Sequence, residues 1–352
     1  MTGTYSLSRK EGWRRFVDTT PRTRPDVLTS AGLAALSGDA RADYDEARHD
    51  WHANFGIIAT PQLRAVREEL ELIVASNRQD PDRVRGAAVI DGHPGLGKTT
   101  IINLFARDYH RVALRRHGEL TDQGHEHIPV FRVGLTSNTT LRTLNKMICQ
   151  FYGHPGADRG SAAQLAASAL DCVLSCQTRV GIIDDVHFIN QHSRDGLAVS
   201  NHLKWLANEL PVTFIYAGVG LSERRFFDEG LSGPSAALAQ TARRWTRFEV
   251  GLFDHDRHWL ALVKAIDRQL VLAAHRPGQL SGLAGYLFAR TGGHIGSLMT
   301  LIIRGCFKAI RIGDESISQG LLDTVRIDEA AEKARRTPVG TPVRTAGGRE
   351  RS

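Results

Sequence analysis

Residues 87–100 read AAVIDGHPGLGKTT, a short apolar run, a glycine-rich turn and the start of an apolar-periodic segment that continues to Phe105. Strand, loop and helix are expected in that order. Within them, Gly92-His93-Pro94-Gly95-Leu96-Gly97-Lys98-Thr99 satisfies G-x-x-x-x-G-K-[ST] in the context the motif requires. The glycines permit backbone conformations and close approaches that a Cβ would block. Successive N–H groups, as far as Thr100, can then wrap a β-phosphate at the positive end of the helix. Lys98 would bring a point charge to the β and γ phosphates, and the Thr99 hydroxyl is placed to ligate Mg²⁺, so the pattern points to nucleotide binding.

The alternation continues downstream. Pro129 to Leu135 reads as a strand, Thr140 to Phe151 and Ser161 to Leu174 as helices, and Val180 to Asp184 as a strand. Ser200 to Glu209 follows as a helix, then Val212 to Val219 and Thr246 to Leu252 as strands. Nearly all-apolar strands separated by helices predict an α/β P-loop NTPase fold, a parallel sheet covered on both faces. Upstream, Leu63, Val66, Leu70 and Ile73 or Val74 recur at helical spacing behind Thr60-Pro61, a cap and a first-turn proline. From about Asp254 the strand signal ends, and Trp259 to Ile266, Leu283 to Phe288 and Ser297 to Ile310 read as helices of a small domain. The expected divisions are an N-terminal extension over 1–59, a P-loop core over 60–252, a helical lid over 253–328 and a basic tail over 329–352. Residues 1–50 show helix-like patches at Trp13 to Val17 and Ala40 to His52 without a core stripe, as in an extension that docks on something.

The 352 residues are 41% hydrophobic and 24% charged, which argues against wholesale disorder and fibrous architectures. Apolar runs such as Val212 to Val219 fall far short of the ~20 residues of a membrane-spanning helix. The opening MTGTYSLSRKEGWRRF holds no apolar core of the secretory kind, and the four cysteines are scattered. A reduced, cytoplasmic protein with no membrane partner is the expectation. The formal charge of +7 is compatible with a polyanionic partner without demanding one. Lys333, Arg335, Arg336, Arg344, Arg349 and Arg351 crowd the last residues amid Pro, Gly and Thr, the composition of a disordered tail. That tail is either a nucleic-acid or partner-binding arm or a solvated terminus.

A phosphate loop needs an acidic group at the end of a neighbouring strand, and Val180-Gly181-Ile182-Ile183-Asp184-Asp185 offers two. Alone, such a run also reads as a strand followed by a solvated turn. Its place after the P-loop, with one predicted strand between, favours a functional pair. Asp184 would hold Mg²⁺ through its water shell, and Asp185 would orient or deprotonate the water that attacks the γ-phosphate.

The Gly92 to Thr99 loop, IIDDVH at 182–187, NHLKWLANELPVTFIYAGVGL at 201–221 and RTGGHIGSLMTLI at 290–302 together resemble the TniB family, AAA+ ATPases of bacterial transposons similar to TnsC. YDEARHDWHANFGIIATPQL at 44–63 resembles the segment these proteins place before their P-loop domain. The resemblance implies an ATP- and Mg²⁺-dependent regulator that assembles as a homo-oligomer on duplex DNA. It also implies a DDE-type transposase partner, with which such a regulator chooses or activates an insertion target.

The chain departs from that pattern in three places. The family often shows Asp-Glu where Asp184-Asp185 stands, so the candidate base is one methylene shorter and slow hydrolysis is expected. Ala217-Gly218-Val219-Gly220, at the end of the fourth strand, offers no side chain to sense a γ-phosphate, and Ser222 is the nearest substitute. Gly293-His294-Ile295-Gly296-Ser297 has Gly and Ser where many AAA+ proteins carry a sensing arginine. The resemblance places a finger that reaches a neighbouring subunit's nucleotide just before the fifth strand, where Arg244 is the first candidate beside Arg243 and Arg247. A solvated basic helix end is the alternative.

Other features carry less chemistry. His117, His125, Glu126 and His127 form a histidine-rich loop whose spacing matches no compact zinc pattern. Cys172, Cys176 and Trp205 read as packed core. Arg224-Arg225-Phe226-Phe227 fits a DNA or subunit contact as well as a capped helix start. Two rival classes stay open: a nucleotide-switched signalling ATPase acting on a protein without nucleic acid, and a P-loop small-molecule kinase.

Overall fold

The computed structural model describes residues 5–80, 83, 85–190, 193–221 and 244–336. Arg224, Arg225, Phe226, Phe227, Ser222, Arg243 and the tail from residue 337 lie outside them. The chain forms α1 (Lys10–Asp18), α2 (Ser30–Ala34), α3 (Gly38–Ala53), α4 (Pro61–Ser76), β1 (Ala87–Asp91), α5 (Lys98–His117) and β2 (Val130–Gly134). Then come α6 (Leu141–Phe151), α7 (Ala162–Ser175), β3 (Val180–Asp184), α8 (Arg194–Glu209), β4 (Thr213–Ala217) and β5 (Trp245–Glu249). Two compact units result: the residues up to Arg22 with Ala59–Gly251, and Thr23–Ile58 with the residues from Leu252 onward. The stretch read above as one extension therefore divides between them, and Glu329–Arg336, read as tail, is helical.

The first unit is built on a parallel sheet of order β2-β3-β4-β1-β5. Parallel neighbours put the C-terminal ends of all the strands on one edge. β1, β3 and β4 are buried at every position, which accounts for their unbroken apolar sequences. Gly181 in β3 is a packing requirement, because a Cβ there would lie 2.8 Å from the Phe131 ring. Without it, Phe131 and Phe214 meet edge to face at 6.1 Å. β5 is an edge strand with Thr246, Arg247 and Glu249 exposed, and it ends at Glu249, short of the predicted Leu252.

Thr60 caps α4 by accepting from the Leu63 amide at 3.2 Å, with Pro61 in the first turn. α5 extends well beyond Phe105 and closes on Arg115, Arg116 and His117, a basic last turn before Gly118. α8 begins before the predicted Ser200, because Ser193 accepts from the Gly196 amide at 3.0 Å and starts the helix there. α1 belongs to this core. Trp13 and Val17 are each 1% exposed, and Trp13 Nε1 donates to His110 Nδ1 at 3.1 Å.

The second unit is helical, with Trp259, Leu262, Leu287, Leu301 and Ile302 in its core. α3 joins it through a polar face. Its Arg48, fully buried, meets Glu315 at 2.5 and 3.0 Å and pairs with Asp45. His52 Nε2 accepts from the Val271 amide at 3.0 Å. No helix among the described residues is long and apolar enough to cross a membrane.

Burial pushes His110 down from its ordinary 6.5 to about 3, and the ring accepts the Trp13 hydrogen bond as a neutral imidazole. Below pH 6.5 the unfolded chain takes up a proton that the folded chain refuses. Stability is therefore level above that pH and falls beneath it, by at most about 1.4 kcal/mol per pH unit from this residue. Urea denaturation at pH 7 and pH 5 should show the fall, and His110→Gln, which keeps an acceptor for Trp13, should make it shallower. Identical pH dependence in variant and parent would contradict this assignment.

Candidate functional site

The phosphate loop leaves the C-terminal end of β1 with Gly92, Gly95 and Gly97 at φ of 150°, 74° and 89°. A Cβ on Gly92 would sit 2.3 Å from the Val250 carbonyl oxygen, so only glycine passes there. Leu96 anchors the loop in the core while His93, Pro94 and Gly95 lie at the surface. Left-handed Gly97 opens α5 without a side-chain cap, so Lys98, Thr99 and Thr100 begin the helix with amide donors that no cap has taken. The Lys98 ammonium turns back to donate to the Gly92 and His93 carbonyls at 2.5 and 2.6 Å. Burial lowers its pKa, and the carboxylates of Asp91, Asp184 and Asp185 act against that.

Asp184, at the end of β3, is 4% exposed. Its Oδ2 accepts from the Thr99 hydroxyl at 3.1 Å and from Arg132 Nη2 at 2.7 Å, and its Oδ1 accepts from the Asp185 amide at 3.0 Å. Arg132 stands opposite Ile182 in the parallel register, on the same sheet face as Asp184, and its Nε donates to Asn103 at 3.1 Å. Asp185 follows in the left-handed region, φ 59°, ψ 35°, which Asp tolerates better than most residues. Its side chain is 49% exposed, and burial first, then Asp184, raises its pKa. A half-buried carboxylate with a raised pKa suits a proton acceptor.

The structure thus brings Lys98, Thr99, Asp184 and Asp185 together at one edge, with the loop residues Gly92 to Thr100. Arg244 is not among them. β1 and β5 pair from Ala87 opposite Trp245 to Asp91 opposite Glu249, so Arg244 lies at the other end of the sheet, about 16 Å away at ~3.3 Å per residue. There its Nη1 donates to Asn208 Oδ1 at 2.9 Å. Arg247 lies on exposed β5.

Gly218, where a sensing side chain was sought, has no room for one: a Cβ would come within 2.7 Å of Leu221 and 3.1 Å of the His187 nitrogen. Trp205, read as packed core, is 37% exposed and stacks on His202 with ring centres 5.0 Å apart. Cys172 and Cys176 pack half-buried against the core, and burial pushes both thiols up to about 11. In the histidine-rich loop, Glu126 pairs with Lys10 at 2.6 Å and His127 Nδ1 meets the Gly118 carbonyl at 3.0 Å.

Sequence reading passed over Arg132, Asn103 and Asp91. The signal for Arg132 was present as one cation inside the apolar strand VFRVG. Asp91 closes β1, and its Oδ1 accepts from the Gly92 and Leu221 amides at 2.8 and 3.0 Å, tying the loop to the turn after β4.

A family model described as Bacterial TniB protein matches residues 48–226, just over half of the chain. The chain belongs to the TniB family. Its fold is that of the AAA+ P-loop ATPases, and solved structures share it. The Aeropyrum pernix ORC2 protein in its ADPNP-ADP complexes matches with a TM-score of 0.58 at 14% identity, over 82% of this chain and 72% of that one. The Aeropyrum pernix ORC1 protein in complex with DNA matches with a TM-score of 0.58 at 13% identity, over 80% and 68%. Cdc6p from Pyrobaculum aerophilum matches with a TM-score of 0.54 at 12% identity, over 76% and 67%. No match is found among curated proteins.

In this TniB-family chain, Arg132 and Asp184 form a largely buried pair, with side chains 13% and 5% exposed. Arg132→Met leaves the carboxylate without its counter-charge and should lower stability by about 3 kcal/mol in urea denaturation. Adding Asp184→Asn should recover part of that loss. Strictly additive losses would show that the two residues are not coupled.

Proposed function

We propose that this chain is an ATP-binding, slowly ATP-hydrolysing regulator of DNA transposition, acting in the cytoplasm. ATP assembles it as a homo-oligomer on duplex DNA, where it works with a DDE-type transposase. The observation that carries the nucleotide part is the Thr99 hydroxyl meeting the Asp184 carboxylate beside Lys98 at the end of a complete phosphate loop. Membership of the TniB family supports the transposition part. A neighbour of the same fold in complex with DNA supports the DNA part.

The donor set fits Mg²⁺, since Thr99 and Asp184 present hard oxygen atoms side by side. Bound there with ATP, the cation would neutralise charge on the phosphates. Lys98 is the ammonium available to the β and γ phosphates, exchanging its loop carbonyls for phosphate oxygens. The amides that open α5 hold the phosphate chain by their direction and dipole. Arg132 fixes the Asp184 rotamer, and Asp185 accepts a proton from, or orients, the attacking water. Arg244, too far from its own chain's loop, acts on the nucleotide of an adjoining subunit, so that hydrolysis requires assembly. The helical unit serves as the lid.

Lys98→Ala should abolish binding of Mg·ATP in calorimetry, whereas Asp185→Asn should bind it normally, lower turnover by roughly a hundredfold and persist on DNA. Normal hydrolysis by Asp185→Asn would remove Asp185 as the base. Arg244→Ala should leave nucleotide affinity intact and reduce turnover per subunit only at concentrations where the parent assembles. Turnover raised by a protein partner and never by duplex DNA would favour the signalling reading.

A further inference from the structure

A cavity of about 480 Å³ opens at the N-terminal edge of the sheet, the edge opposite the phosphate loop. Its wall includes Arg78 just after α4, Arg85 ahead of β1, Arg116 in the last turn of α5 and Arg179 ahead of β3, and among the described residues no Asp or Glu lines it. Arg78, Arg116 and Arg179 are exposed, and Arg85 is half-buried. None of the four takes part in a salt bridge among the described residues. Some other arginines of the same unit are paired, Arg14 with Glu119 at 2.6 Å and Arg67 with Asp108 at 2.8 Å.

The convergence is a consequence of topology. In a parallel sheet wrapped by helices, strand beginnings and helix ends share one edge, and four separate segments deliver a guanidinium to it. Helix C-termini offset part of the charge of Arg78 and Arg116. Arg85 and Arg179 stand ahead of strands and have no such compensation. Four like charges around a concavity repel one another unless an anion with several oxygens joins them, and the planar guanidinium fork matches phosphate oxygens two at a time. Exposure of three of the four lets an extended backbone reach them.

We infer that this edge is a phosphate-binding surface for the backbone of duplex DNA, distinct from the phosphate loop. The inference rests on the DNA-binding reading above and adds the residues that carry it. Contacts of this kind position the duplex without reading its sequence.

The test is fluorescence anisotropy of a labelled duplex titrated with the full chain and a non-hydrolysable ATP analogue over a series of KCl concentrations. Arg116→Ala/Arg179→Ala should weaken binding roughly tenfold and flatten the salt dependence by about 1.8 in log–log slope, because about 0.9 is lost per phosphate contact. Arg116→Lys/Arg179→Lys should restore most of the slope. Both variants should bind the ATP analogue as the parent does, which shows that they are folded. A parent that binds duplex with the same slope as the Ala variant overturns the inference and leaves the DNA-binding reading intact. A parent that binds no duplex overturns both. Unchanged slope with lost nucleotide-dependent assembly, or with inorganic pyrophosphate binding lost from the Ala variant, also overturns it, in favour of a subunit contact or a small-anion pocket.

Discussion

The Asp184 carboxylate accepts from three donors at once: the Thr99 hydroxyl on α5, the Arg132 guanidinium on β2 and the Asp185 amide behind it. These groups belong to separate segments, and the parallel registers of β2, β3, β4 and β1 bring them to one edge. A slip of one residue between β2 and β3 would turn Asp184 away from Arg132 and from the loop. The chemistry therefore depends on how firmly the central strands are held. Their complete burial, and the passage of Phe131 and Phe214 past a glycine, secure that register.

Charge is sorted by the same topology. Carboxylates of Asp91, Asp184 and Asp185 collect where strands end, against the Lys98 ammonium and the Arg132 guanidinium. Guanidinium groups collect where strands begin, with Arg244 among them. In a closed parallel wrap, a residue at that second edge reaches its own phosphate loop only across the whole sheet. Arg244 lies away from its own chain's phosphate loop, at the opposite end of the sheet.

Much of this was legible in the sequence. The P-loop, the Asp pair and the central strands declare themselves because glycine conformations, phosphate chemistry and two-sided burial leave few alternative residues. The hidden parts share a cause. α1 enters the core on little more than Trp13 and Val17, too few apolar residues to draw a stripe. α3 docks through Arg48 and His52, a charged and an aromatic polar residue that periodicity counts as surface until Glu315 and the Val271 amide are seen to satisfy them. Arg132 is similar, a cation whose partner lies on another strand. The beginning of α8 was missed because its first residues, Arg194-Asp195-Gly196, are polar or small, and the cap at Ser193 acts through one hydrogen bond. Trp205 misled in the other direction, since an aromatic residue inside an apolar-looking helix can lean on a histidine at the surface.

The polypeptide passes between its two units after Arg22, after Ile58 and after Gly251. Neither unit is a single uninterrupted length of chain. A break at Gly251 would release no self-sufficient helical fragment, because α3 stays behind, and it would strand Arg48 without Glu315. Recombination that exchanges one unit for a relative's must therefore carry two distant stretches of gene together, and lineages of such proteins should inherit residues 23–58 and the C-terminal helices as a linked pair.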